Sequence, residues 1–356
     1  GHQIDSAIVG IPDEVARRVE VWFANPQTPG GTAFGPSGFL PFDRRKVSMR
    51  KFGKGERFWV FPTSRDKLTE RIRDLHDGMG TSEKDIRARL DVLPETPYVS
   101  AVNFGSGWIS FITSVPFTEN EMAVACRFAD VFGGAYARFK ELKEKEDQNR
   151  ELTIQNALER VRALAQGMQE SSEIKGVATA LRDEFEDLGY QLDSVAIYFP
   201  DESASTMEVW FASPQTPEGT SFGSPGFMRL DRRGRGFREW KKGERSWVTS
   251  VDRAVLSGRV REIQEGIGTS EKDIRGRIDA LPETPWVSVA NFGVGFIGFI
   301  TSKPFTESEM AVACRFTDVF GGAYARFQEL KEKEEQNREL TIQNAIERVR
   351  ARALGM

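Results

Sequence analysis

Histidine is the natural first candidate for acid–base or metal chemistry, and this sequence has two, His2 and His76. Their meaning depends on a repeat. Residues 1–168 and 189–356 align without a gap at an offset of 188, and about two thirds of the aligned positions are identical. His2 aligns with Tyr190 and His76 with Gln264, so the copies share no histidine. A shared Ser-His-Asp site, a shared His-ligated metal and a shared phospho-accepting histidine are therefore excluded. The two cysteines, Cys126 and Cys314, are equivalent positions. One thiol per copy makes neither a zinc cluster nor a disulfide framework, and it fits a reducing compartment. Asp43, Glu83 and Asp85 are possible acids, but no spacing pairs them with a nucleophile or base. The residue types predict no enzyme, no metal and no cofactor.

Binding chemistry has better candidates. Trp22, Trp59, Phe104 and Trp108 lie on or beside predicted strands, as do Trp210, Trp247, Phe292 and Phe296 in the second copy. Strand aromatics either fill a sheet core or line an apolar ligand pocket. A second candidate is charge. From Asp43 to Arg57 there are seven Lys/Arg against two acids, and from Arg229 to Arg245 eight against three, although the whole chain carries a net charge of −4. This local excess marks Arg44, Arg45, Arg232 and Arg233 as a possible anion site, with a solvated face as the plainer reading. No aromatic ladder or known binding motif accompanies the basic runs, so nucleic acid is not the expected partner. The loop Asn25–Gly35 lacks the Gly-Lys-Ser/Thr ending of a phosphate-cradling loop. Arg87 and Arg89 read as surface arginines, and Cys126 as a structural thiol on an apolar helix face.

The elements that would position these residues follow from patterning. Ile4–Ile11 and Val19–Ala24 read as a hairpin around Pro12-Asp13-Glu14. Asn25–Phe42 has apolar positions too scattered for a core element. Gly55–Val60 reads as a strand. Arg65–Asp77 has helical spacing, and Ser82 with Asp85 starts a further short helix. Val99–Phe104 and Trp108–Thr113 form a hairpin around Gly105-Ser106-Gly107. Thr118 and Glu121 cap a long helix, with Phe117 and Met122 placed as a hydrophobic staple. Met122, Ala125, Phe128, Val131, Phe132, Ala135, Phe139 and Leu142 give that helix a wide apolar face. Its charged stretch 141–151 leads to a narrower stripe that includes Leu152, Leu158, Val161 and Leu164. A helix from 118 to about 164 spans roughly 70 Å. A stripe with no sheet of its own calls for a partner helix, which predicts a parallel homodimer through these residues. Gln169–Leu188 reads as a helical joint.

The resulting fold class is α+β, and the order of elements resembles the GAF family of small-ligand sensory modules. Trp108–Met122 followed by Phe128–Phe132 looks like that family's last strand and last helix. Asn156-Ala-Leu-Glu-Arg-Val-Arg162, its counterpart Asn344–Arg352, Met168–Ile174 and Tyr136–Phe139 are similar to helical linkers in Bacteroidetes-type bacterial multidomain signalling proteins. The resemblance implies a GAF-like domain over 1–142 without its first helix and a linker plus the next domain's first helix over 143–188. A second GAF-like domain then covers 189–330, and a linker helix covers 331–356. It implies a sensory fragment of a cytoplasmic signalling protein that takes a small molecule and acts on an output domain outside the sequence; a ligand-free spacer is the alternative. No apolar run approaches the roughly 20 residues of a membrane span. Both ends fall at repeat boundaries, which predicts a parent that continues and a first copy less stable than the second.

Overall fold

The computed structural model describes residues 4, 6–24, 38–43, 45–79, 83–91, 93–212 and 226–354. The chain divides into two compact units, Gly1–Asp147 and Gln148–Met356. In the first, side chains alternate along β1 (Ser6–Asp13), β2 (Arg18–Ala24), β5 (Tyr98–Asn103) and β6 (Trp108–Thr113). Val19 and Val21 of β2 point to one face while Trp22 points to the other. Short β3 (Gly38–Pro41) and β4 (Phe58–Pro62) complete a six-stranded antiparallel sheet of order β3-β2-β1-β6-β5-β4. Both faces are apolar, so both must be covered.

One face packs on the first half of α4 (Glu119–Gln166), through Val9, Val102 and Phe104 against Met122, Ala125 and Ala129. The other is covered by α1 (Val47–Gly53), α2 (Arg65–Met79) and α3 (Glu83–Asp91). The start of α4 is capped as the sequence predicts: Thr118 N–H donates to Glu121 at 2.9 Å, and Glu121 N–H donates to Thr118 Oγ1 at 3.4 Å. Gly133 lets the helix approach the β5–β6 turn. A Cβ there would lie 2.6 Å from the Phe104 carbonyl oxygen.

The second unit repeats this plan with β7 (Ser194–Asp201), β8 (Thr206–Ala212), β9 (Gly226–Arg229), α6 (Arg235–Lys241) and β10 (Ser246–Ser250). It continues with α7 (Arg253–Gly266), α8 (Glu271–Asp279), β11 (Trp286–Asn291), β12 (Phe296–Thr301) and α9 (Glu307–Leu354). Strand order is equivalent, β9-β8-β7-β12-β11-β10. Thr306 and Glu309 repeat the cap. The fold is α+β, with two antiparallel six-stranded sheets and long flanking helices. Among the described residues no helix is long and apolar enough to cross a membrane.

The second unit also contains the end of α4 and the joint. A 3-10 turn, Ser171–Glu173, leads into α5 (Ile174–Asp187). Ile154, Ala157, Leu158, Val161 and Ala165 of α4 share a core with Ile174, Val177, Leu181 and Phe185 of α5 and with Phe316 and Phe320 of α9. Arg160 fixes α4 to α5 by two hydrogen bonds to Glu184, each 2.5 Å. Leu158 and Val161, assigned to a dimer seam, are thus interior to this unit, whereas Leu152 and Leu164 are exposed. Three elements are corrections to the reading of Asn25–Arg57 and its counterpart. The end of the Gly/Pro-rich stretch is strand β3, and the basic runs contain α1 and α6. Ser82 lies outside the described residues, but its counterpart Ser270 caps α8 by accepting from Asp273 N–H at 3.2 Å.

Candidate functional site

Each unit encloses a cavity between its sheet and its three short helices. The second unit's cavity has a volume of about 150 Å³ and the first about 110 Å³. Such volumes match a single small ring or a short aliphatic chain. The walls of the second are the inward-facing strand residues Ala196, Tyr198, Val209, Val289, Phe296 and Ile300, closed by Leu256 and Ile263 of α7. Arg253 ties this lid together. Its guanidinium donates to the Ile278 carbonyl at the end of α8 at 3.0 Å, and Arg65 does the same to Leu90 in the first unit at 3.0 Å.

Polar groups in the second cavity are few. Arg277 of α8 is only 7% exposed and lines the wall, with its guanidinium 5.6 Å from the centre of the Phe211 ring. Burial lowers its pKa and Asp273 partly opposes this. Trp247 lines the wall as well, and its buried Nε1 has no hydrogen-bond partner among the described residues. An indole N–H left in this state is a donor waiting for an acceptor. Trp59, the equivalent residue, carries the same unpartnered N–H. Arg259 sits where the cavity meets solvent, 3.9 Å from Asp231. Burial raises the Tyr198 pKa, with Arg259 opposing, and Tyr198 forms part of the cavity wall.

The first cavity is built from equivalent elements with different side chains. Arg71, the counterpart of Arg259, lines it, and burial lowers its pKa. The side chain of Arg89, the counterpart of Arg277, lies outside the described residues. Of the sixteen residues lining the first cavity, five are identical at the equivalent positions: Val21, Leu68, Arg71, Val99 and Ile112.

The eight aromatic candidates divide between the two sheet faces. Trp108, Trp247 and Phe296 line the cavities, and Trp59 packs beside Trp108 with ring centres 6.5 Å apart. Trp22, Phe104, Trp210 and Phe292 lie on the opposite face, among the long-helix contacts. Trp210 donates its Nε1 hydrogen to Glu208 at 2.6 Å. They belong to the core and not to the pocket, because strand alternation turns Trp22 and Trp210 away from their cavity-facing neighbours.

The basic runs are largely committed to local structure. Arg45 pairs with Asp43 at 3.1 Å and holds that carboxyl below its usual range. Arg232 donates to the Glu202 carbonyl at 2.8 Å and to Ser205 Oγ at 3.2 Å. Arg233 is exposed, and Arg44 is outside the described residues. Arg57 and Arg245 clamp the long helices through Asp130 and Asp318, at 2.5 and 2.6 Å. Arg87, exposed, pairs with Glu83 at 3.3 Å. Cys126 is half-buried and Cys314 buried. The loop 25–35 and its counterpart lie outside the described residues. No cluster of His, Cys, Asp or Glu among the described residues could hold a metal ion.

No family model matches the chain, and no curated protein matches it. Solved structures do. The chain is similar to a phycocyanobilin-bound GAF domain from a cyanobacterial phytochrome, with 14% identity and a TM-score of 0.32, covering 49% of this chain and 94% of that one. It is similar to the GAF domain of an Acinetobacter phosphoenolpyruvate-protein phosphotransferase, with 13% identity and a TM-score of 0.31, covering 49% and 93%. A phycoerythrobilin-bound GAF domain from a cyanobacterial phytochrome matches with 14% identity and a TM-score of 0.31, over 51% and 97%.

Proposed function

We propose that the chain is a non-catalytic sensory fragment of a signalling protein, with two GAF-like domains that each take a small molecule and act through their long helices on an output domain. One observation carries this reading. The copies have diverged at the cavity walls, where five of sixteen positions match, but 41 of the 48 positions of α4 are identical in α9. Different occupants read out by one transmitting helix leave that pattern; two inert spacers give no reason for it. The chemistry of the second cavity fits a compact apolar molecule with an anionic or strongly accepting group. The apolar body replaces solvent along the strand residues, and the acceptor faces the positive charge of Arg277 in the wall and meets the unpartnered Trp247 indole N–H. The reading includes a cytoplasmic setting and self-association through helix residues that stay exposed, Leu152 and Leu164 on α4 and Leu340, Ile342 and Ile346 on α9.

Thermal-shift titration tests the ligand reading. Benzoate and short branched carboxylates should stabilise the protein in proportion to RT ln(1 + [L]/Kd), more than their neutral amides do. Arg277→Met should abolish the difference between acid and amide. Silence across carboxylates, neutral aromatics and cyclic nucleotides would leave the ligand-free spacer as the better account.

A further inference from the structure

The walls of the two cavities differ in charge, and three glycines of the second copy mark the difference. The counterparts of Gly234, Gly236 and Gly298 are Lys46, Ser48 and Ser110, and all three line the first cavity. Ser110 places its hydroxyl there at only 4% exposure. Gly234 leaves room for a carboxylate. A Cβ on it would lie 2.7 Å from Asp231 Oδ2, the oxygen that comes within 3.9 Å of Arg259 at the cavity wall. In the first unit Lys46 fills that room, and Asp43, the counterpart of Asp231, pairs with Arg45 at 3.1 Å instead. Among the described residues the second wall therefore includes Asp193 and Asp231 beside Arg259 and Arg277, whereas the first includes Arg71 and Lys46 and no acid. Asp5 and the side chain of Arg89, the counterparts of Asp193 and Arg277, lie outside the described residues; they are one acid and one base. Arg71 and Lys46 have no ion-pair partner among the described residues: Glu70 acts on Arg71, and Lys46 on Asp43, only through space. A half-buried guanidinium in that position calls for an anion.

We infer that the first cavity selects a small carboxylate, held as its anion by Arg71 and Lys46 in the role that Asp231 has toward Arg259. The sister unit shows the chemistry, since a carboxylate is what it places beside that arginine. Ser48 and Ser110 add hydroxyl donors to the same group, and Ile8, Val19 and Val99 enclose an apolar remainder. In the second cavity Arg277 favours an acceptor, but the wall's own acids hold that preference down, so the first is the more charge-selective of the two. The inference rests on the proposal that the cavities take small molecules and adds which of them reads charge.

Hydrogen exchange of the full chain, titrated with benzoate, isobutyrate, their neutral amides and inorganic phosphate, reads the two sites separately through residues 46–72 and 234–260. The carboxylates should protect 46–72 at concentrations at least about tenfold below those their amides need, the factor a charge-assisted contact supplies. The ratio at 234–260 should be several-fold smaller. Lys46→Met removes the charge and keeps the bulk, and should bring the first ratio down to the second. Gly234→Lys should raise the second by displacing Asp231; the extended backbone at Gly234, φ −62° and ψ 144°, admits a side chain. Asp231→Asn retains an oxygen for the turn hydrogen bonds from Arg233 and Gly234 and should raise the second ratio without added bulk. Amides that protect 46–72 as well as the acids overturn the inference while the small-molecule reading stands. So do carboxylates that protect only 234–260, and a first ratio that Lys46→Met leaves unchanged. Phosphate that protects 46–72 at lower concentration than either carboxylate assigns the site to a different anion and equally overturns it. No protection of either segment by any compound removes the small-molecule reading itself, and the inference with it.

Discussion

In the first unit Gly10 of β1 pairs across the ladder with Trp108 of β6; in the second, Tyr198 of β7 pairs with Phe296 of β12. A Cβ on Gly10 would lie 2.7 Å from the Trp108 ring. Tyr198 instead stacks on Phe296 at 4.9 Å, and a Cβ on its other neighbour, Gly298, would come within 3.1 Å of the tyrosine ring. The position of Gly298 is Ser110 in the first unit. These three exchanges form one set. Bulk moves from the last strand to the first, and the cavity wall changes shape while the sheet keeps its register. Pairing register specifies the sheet, and a wall facing empty space tolerates coupled exchanges of side-chain bulk that leave the register unchanged.

The largest expected difference between the units comes from one aromatic pair. Phe316→Ala should destabilise the second unit by about 3–5 kcal/mol, the usual cost of emptying a buried phenylalanine site. Phe128→Ala, at the equivalent position, should stay within about 0.5 kcal/mol, as exposed substitutions do. Urea unfolding followed by hydrogen exchange in each unit measures both, and equal losses would remove the distinction between a covered and an uncovered face. Next in size, Gly10→Tyr alone should cost about 1–3 kcal/mol through overpacking against Trp108. Adding Trp108→Phe and Ser110→Gly should recover much of that loss, because contacting residues are not additive. A triple variant no more stable than the single one would show that the swap set is not coupled. The smallest effect concerns Asp193, which lines the second cavity and whose pKa burial raises. A carboxyl with a raised folded-state pKa makes folding less favourable above that pKa, and the penalty fades as pH falls through the carboxylate range. Asp193→Asn should therefore stabilise the second unit slightly at neutral pH, with the gain vanishing below about pH 4. A gain that persists in acid would assign the effect to packing instead of charge.

The parts legible in sequence were those with local signals. The Thr118 and Thr306 caps, the hairpin around Gly105 and the long helices each rest on residues within a few positions of one another. Strand β3 was not legible, since it has four residues and is defined only by pairing with β2. Helices α1 and α6 were hidden in basic runs. Each has seven residues, and in α1 the one buried side chain is Met49. The aromatic candidates could have been sorted by strand alternation, which sets Trp22 apart from Val19 and Val21. Leu158 and Val161 could likewise have been separated from Leu152 and Leu164 by helical phase. Arg277 carried a weaker signal. Its counterpart Arg89 reads as one surface arginine among several on a charged helix, and only the closure of α8 over the sheet makes the position interior.

Gly321, equivalent to Gly133, has a mechanical consequence. A Cβ there would lie 2.6 Å from Phe292, so at this one point α9 rests on the hairpin with nothing between helix backbone and turn. Turning the helix about its axis brings a side chain into that contact, whereas rocking over it does not. The glycine is a fulcrum. On one side lie fourteen residues of helix against the sheet; on the other lie 33 to Leu354, a lever arm of about 50 Å at 1.5 Å per residue. Beyond Leu330 the described side chains of that arm are exposed. A tilt of about 5° at Gly321 would therefore swing the far end by about 4 Å. The far end of the short arm, about 21 Å from the glycine, moves by only about 2 Å in the same tilt.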